Sequence, residues 1–168
     1  MDNKRSRFRL LPIYHLFFIT LLFILFILIT IFINREMKME LIIYDQDTGD
    51  EYARTEVKDG DQFTVQWVHS VEQETWQEIL EINKQGEIVL IETRFRSFGS
   101  GVPSSKEDGN VYFEDGFLVM TDLYEVKQYY QWIHSHNAKF MILKNDEHFL
   151  HTTHIPHHHK AEMIIKEG

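Results

Sequence analysis

His69, Glu78 and Thr93 are the residues whose types and spacing could support chemistry in this chain. Read at period two, Phe63, Val65, Trp67, His69 and Val71 share one strand face, and Trp76, Glu78, Leu80 and Ile82 share the next. If Glu72 to Thr75 form the connecting loop, the hairpin sets Val71 opposite Trp76, His69 opposite Glu78, Trp67 opposite Leu80 and Val65 opposite Ile82. A second loop, Lys84 to Glu87, sets Ile82 opposite Val89, Leu80 opposite Ile91, Glu78 opposite Thr93 and Trp76 opposite Phe95. The expectation is a polar row, His69–Glu78–Thr93, crossing three strands, which a one-residue slip in either hairpin would divide between two faces. Such a pair can fix strand register, hold a ligand, or act as a general base oriented by its carboxylate. Ser70 points to the opposite face and no G-x-S-x-G or other nucleophile motif occurs, so structural or binding use is favoured over a hydrolase centred on His69.

A second candidate is the histidine-rich end. Eight of the ten histidines lie between His134 and His159. Neutral imidazole suits zinc and other transition metals, and His134 with His136, or His157 with His159, would project from one face of an extended strand. The competing reading is a set of solvated histidines at the tip of a final hairpin, since three consecutive imidazoles after Pro156 cannot all reach one ion from an extended chain. On that reading the protein has no cofactor. Asp45, Asp47 and Gly49 resemble the start of a calcium loop, but the ligand run stops there with no closing glutamate.

The elements that must position these groups read mainly as strands. Leu41 to Tyr44 and Glu51 to Gly60 precede the three-stranded unit. After it, Gly99, Gly101 and Pro103 impose a sharp change of direction. That loop could instead present backbone N–H groups to an anion, helped by Arg94 and Arg96, although its spacing matches neither nucleotide-binding fingerprint. Val111 to Met120 carries Asp115-Gly116 between alternating apolar residues, as a two-residue hairpin turn requires, pairing Glu114 with Phe117 and Val111 with Met120. Leu123 to His134 fits either a helix face or a strand, and its aromatic and β-branched content favours strand. Lys139 to Leu143 and Phe149 to Ile155 suggest a hairpin about Asn145-Asp146, with Ala161 to Ile165 closing the domain. The fold class expected is all-β, an antiparallel sandwich or barrel-like domain.

This domain, residues 39–168, follows a basic tail, residues 1–9, and an uncharged run, residues 10–33. The run of 24 residues spans about 36 Å as a helix at about 1.5 Å per residue, enough to cross a hydrocarbon core of about 30 Å. Lys4, Arg5, Arg7 and Arg9 precede it, so the expected topology is single-pass in the cell membrane, N-terminus cytoplasmic and C-terminal domain extracytoplasmic. No small-residue cleavage site follows the run, which favours an uncleaved anchor. The net charge is -9; residues 1–38 carry six basic and two acidic residues, leaving 11 basic and 24 acidic for the remainder. That acidic balance argues against nucleic acid as a partner. Cysteine is absent, which excludes disulfides and thiolate chemistry.

His69-Ser70-Val71-Glu72, Trp76, Glu78, and then Phe95-Arg96-Ser97-Phe98-Gly99-Ser100-Gly101-Val102-Pro103 resemble the signature of domain of unknown function 1850, a family of small bacterial and archaeal proteins. The resemblance covers about Phe63 to Pro103, with Ser100 standing where alanine is common. Its members are often encoded beside TRAP transporters with TAXI-type solute receptors. The resemblance therefore implies an accessory role at the membrane, with a TRAP permease or solute receptor as partner. It carries over no cofactor and no catalytic residue. Together these features point to a membrane-anchored binding domain more than to an enzyme.

Overall fold

The computed structural model describes residues 10–33, 38–96 and 110–167, with helix side chains placed over 14–30. The chain divides into two units, Met1–Met37 and Lys38–Gly168. The first contains one helix, α1 (Leu10–Ile33), which forms because the run holds no charge and no interior glycine. Pro12 falls in its first turn, where a missing backbone donor costs nothing. Among the described residues no helix is long and apolar enough to cross a membrane.

Among the described residues the second unit contains eleven strands: β1 (Met39–Asp45), β2 (Glu51–Val57), β3 (Gln62–Val68), β4 (Thr75–Ile82), β5 (Ile88–Phe95), β6 (Asn110–Glu114), β7 (Phe117–Lys127), β8 (Tyr130–Ile133), β9 (Met141–Lys144), β10 (Glu147–Leu150) and β11 (Lys160–Glu167). They form two antiparallel sheets, a four-stranded one in the order β2-β1-β11-β8 and a seven-stranded one in the order β10-β9-β3-β4-β5-β7-β6. Leu41, Ile43 and Met163 of the smaller sheet are buried in one cluster with Phe63, Val65, Leu80, Ile82 and Ile142 of the larger. The alternation that sends these residues inward makes the unit a sandwich, and each large side chain so buried contributes roughly 1.5–3 kcal/mol.

Turn chemistry sets the register. Asp115 and Gly116 have φ of 49° and 80°, and Asn145 and Asp146 have 48° and 66°, the left-handed pairs that match strand twist in two-residue hairpins. Glu114 pairs with Phe117 and Val111 with Met120 as the sequence pattern requires. The second of these hairpins turns at the expected residues, but its returning strand begins at Glu147 and ends at Leu150, giving way to a 3₁₀ turn, Thr152–His154. Of Leu123 to His134, all but His134 is strand in β7 and β8 apart from a break at Gln128 and Tyr129, where the chain leaves the larger sheet for the smaller.

The central hairpins depart from expectation in an instructive way. β3 pairs with β4 as Phe63 with Leu80, Val65 with Glu78 and Trp67 with Trp76, not as Val65 with Ile82, Trp67 with Leu80 and His69 with Glu78. The loop is His69–Glu74, closed by the His69 N–H donating to the Glu74 carbonyl at 2.9 Å, and Val71 is 73% exposed. A four-residue shift preserves which side chains face inward, so periodicity cannot distinguish the two registers. Pairing Trp67 with Trp76 decides between them. β4 pairs with β5 as expected at Trp76–Phe95 and Glu78–Thr93, then a bulge at Ile91 puts Leu80 opposite Leu90 and Ile82 opposite Ile88. The loop is one residue longer than expected, Asn83–Glu87, and the bulge absorbs that residue.

Gly86 in this loop has φ +74°, and a Cβ there would lie 2.6 Å from Met39 Sδ. Gly86→Ala is expected to destabilise the protein by about 1–2 kcal/mol in urea unfolding. Adding Met39→Ala should recover only the steric part, because the backbone strain persists.

Candidate functional site

Inward-facing residues at one end of the sandwich build a cleft. β4 supplies Glu78, β3 supplies Trp67, and the crossing from β7 to β8 brings in Lys127, Tyr130 and Trp132. Phe140, just before β9, completes the wall of a cavity of about 670 Å³. The rings form a continuous row: Phe95 on Trp76 at 5.0 Å between centroids, Trp76 to Trp67 at 6.1 Å, Trp67 to Phe140 at 6.1 Å, Phe140 to Trp132 at 6.0 Å and Trp132 to Tyr130 at 6.1 Å. Spacings of this size fall within the attractive range for offset and tilted aromatic pairs.

Glu78 is the ionisable residue at the heart of the larger sheet. Burial pushes its carboxyl above the usual range, while a hydrogen bond from the Tyr130 hydroxyl and the nearby Lys127 ammonium act in the opposite direction. Tyr130 is 8% exposed, and burial together with the Glu78 charge holds its hydroxyl well above the usual phenol range. The hydroxyl therefore remains protonated. Lys127 pairs with Glu125 at 2.9 Å.

His69 does not meet Glu78. Its ring stacks on Trp76 at 4.9 Å, and its Nδ1 lies 4.0 Å from the Glu72 carboxylate, with the Trp76 indole N–H donating to that carboxylate at 3.3 Å. The expected row of His69, Glu78 and Thr93 is thus corrected to a Glu78–Thr93 pair whose outside partner is Tyr130, because the longer loop carries His69 beyond the strand. A base oriented by Glu78 has no geometric support.

The histidine-rich end is also rearranged. β8 stops at Ile133, so His134 and His136 leave the strand, and His136 opens a 3₁₀ turn. His134, His136 and His157 nevertheless gather, with ring centroids 5.4 and 5.2 Å apart in succession. His136 donates from Nε2 to the Ile155 carbonyl at 3.0 Å, and His157 Nδ1 accepts the His136 backbone N–H at 3.1 Å. His159 is drawn away to Asp45 at 2.5 Å. Asp45 also accepts from the Tyr52 hydroxyl and from the Asp47 and Thr48 backbones, and the Tyr52 and His159 hydrogen bonds hold its carboxyl well below the usual range. Among the described residues no group of three or more His, Asp or Glu is placed to hold a metal ion. His134 is 1% exposed with both ring nitrogens unpartnered, beside a second cavity of about 560 Å³ that also reaches His148 and His151.

Arg94 pairs with Glu92 and lies 3.7 Å from Glu114, while the Arg96 guanidinium covers the Phe117 ring at 4.7 Å. Gly99, Gly101 and Pro103 lie outside the described residues. Sequence reasoning placed Trp67 on the inward face but missed its union with Tyr130, Trp132 and Phe140, which depends on the chain changing sheets at Gln128. The available signal was an inward carboxylate left opposite Val65 on one side once the alternative register is drawn.

The fold and cleft define an antiparallel β-sandwich with an aromatic cavity opening between its sheets. Residues 63–150, just over half of the chain, match the family described as a domain of unknown function (DUF1850), and the chain belongs to that family. No curated protein and no solved structure matches it.

Two outcomes follow from these shifted groups. A carboxyl raised by folding lowers stability as pH rises above its unfolded pKa, so Glu78→Gln should raise the unfolding midpoint at pH 7 and match the parent near pH 4. His134 is lowered to about 4, first by burial and then by His136 and His157. The folded state therefore resists a proton that the unfolded chain accepts below about 6.5, and stability falls between pH 6.5 and 4 by roughly 3 kcal/mol at most. In urea unfolding across that window, His134→Phe should flatten the slope relative to the parent.

Proposed function

We propose that this protein is a membrane-anchored, extracytoplasmic domain that binds a small organic ligand in the cleft between Trp67, Glu78, Tyr130 and Trp132. The observation that carries this reading is a carboxylate kept on the inward face of a central strand, walled by aromatic rings, in a cavity sized for a small molecule. The anchor rests on the uncharged 24-residue run that folds as one helix and exposes apolar side chains such as Leu16, Phe17, Phe23 and Phe26 around its circumference. The basic residues before that run favour a cytoplasmic N-terminus. The family resemblance extends the reading to an accessory of a TRAP-type solute transporter, with its permease or solute receptor as the partner.

Ligand binding is tested on the full-length protein in a maltoside detergent, by thermal shift and tryptophan fluorescence against amines, amino acids, organic acids and sugars. At least one class should raise the midpoint, and Trp132→Ala should cut that affinity at least tenfold. Silence across all four classes removes the binding reading. Topology is tested separately, because the chain contains no cysteine to interfere. In intact cells an impermeant maleimide should label Ser70→Cys, and should label Ser6→Cys only after lysis; the reverse pattern sinks the extracytoplasmic assignment.

A further inference from the structure

The charge pattern of the cleft narrows what it can hold. Glu78 is the carboxylate among the described residues lining it, and Lys127 is the lining cation. Lys127 is already paired with Glu125 at 2.9 Å, so these three groups together leave one negative charge uncompensated when Glu78 is ionised. Trp67, Trp132, Phe140 and Tyr130 line the same cavity, and an aromatic face carries negative quadrupole potential. From residue 39 onward the chain carries 24 acidic against 11 basic residues, which raises the local concentration of cations and repels anions. The Tyr130 hydroxyl favours the ionised Glu78 carboxylate, whose two oxygens have acceptor capacity for a further donor.

We propose that the cleft takes an organic cation, with its ammonium group against Trp67, Trp132 and Tyr130 and Glu78 as the counter-charge. This assignment rests on the cleft being the binding site and adds the chemical class of its occupant. Rings around a carboxylate recognise ammonium groups because the cation gains from the ring faces as well as from the ion pair, and a desolvated wall strengthens both. A bound cation offsets the desolvation that raises the Glu78 carboxyl in the unliganded protein.

The test uses the full-length protein in maltoside micelles, whose head groups carry no charge, and pairs cations with neutral molecules of similar shape. Choline is compared with 3,3-dimethyl-1-butanol, and phenethylamine with 2-phenylethanol, by tryptophan fluorescence and calorimetry. At least one cation should bind at least tenfold more tightly than its neutral counterpart. Glu78→Gln should lose at least tenfold for that cation while leaving the neutral molecule unchanged, and added sodium chloride should weaken only the cation. Equal binding within both pairs, or a Glu78→Gln variant that retains full affinity for the cation, overturns the assignment. If neither cation binds while acids or sugars do, the cation is wrong and the cleft survives as a site. If no class binds, both readings fall together.

Discussion

Tyr130 of the smaller sheet and Glu78 of the larger interact across the cleft between the sheets, where the larger sheet also presents Lys127. β4 is the middle strand of seven, and the carboxylate on its inward face is half-buried in the cleft. An ionised group left unpaired there costs several kcal/mol. The phenol comes from β8, an edge strand of the opposite sheet, and reaches Glu78 only because the chain crosses between sheets at Gln128 and Tyr129. The register of β4 and the sheet crossing together bring this carboxylate and this phenol into one cleft.

The aromatic row follows from the same constraint. With Val65 opposite Glu78, Trp67 must stand opposite Trp76, and the two indoles are held against Phe140 on one side and Phe95 on the other. Large flat side chains at successive inward positions keep the sheets apart at this end, where Leu, Ile and Val would let them close. His69 then caps the row by stacking on Trp76, and its backbone closes the β3–β4 loop. Its role in the structure is therefore to finish the ring stack and the turn, with Glu72 beside it, and not to share a proton with Glu78.

The fold was legible wherever the signal is local. Asp115-Gly116 and Asn145-Asp146 announce their turns because few residue pairs accept two left-handed conformations, and the inward faces of β3, β4 and β5 follow from alternation alone. The error at His69 arose because alternation is blind to even shifts: both registers bury Phe63, Val65 and Trp67. Only the preference of Trp67 for Trp76 over Leu80, and of Glu78 for a partner some fifty residues later in sequence, separates them. The bulge at Ile91 was equally hidden, since its cause is a loop longer by one residue. Tyr130 and Trp132 were legible as strand residues, but not as cleft residues, because nothing local marks the change of sheet.

Two acidic residues of this domain show what distinguishes a structural carboxylate from one retained for an occupant. Asp45 is as deeply placed as the core, yet four donors converge on it and its proton is held off more easily than in water. Folding favours its charge, and it needs nothing further. Glu78 has no such convergence of donors, and burial disfavours its charge. Replacing such a group by a neutral residue of similar volume is commonly neutral or stabilising, so its presence among Trp67, Val65 and Leu80 is not explained by the fold. On the proposed binding reading, a group that a fold tolerates at a cost, in a cavity lined by rings, is accounted for by what enters the cavity. By the same reasoning His69 and Asp45, each satisfied within the protein, belong to the scaffold, and the chemistry of this domain is concentrated where its hydrogen bonding is incomplete.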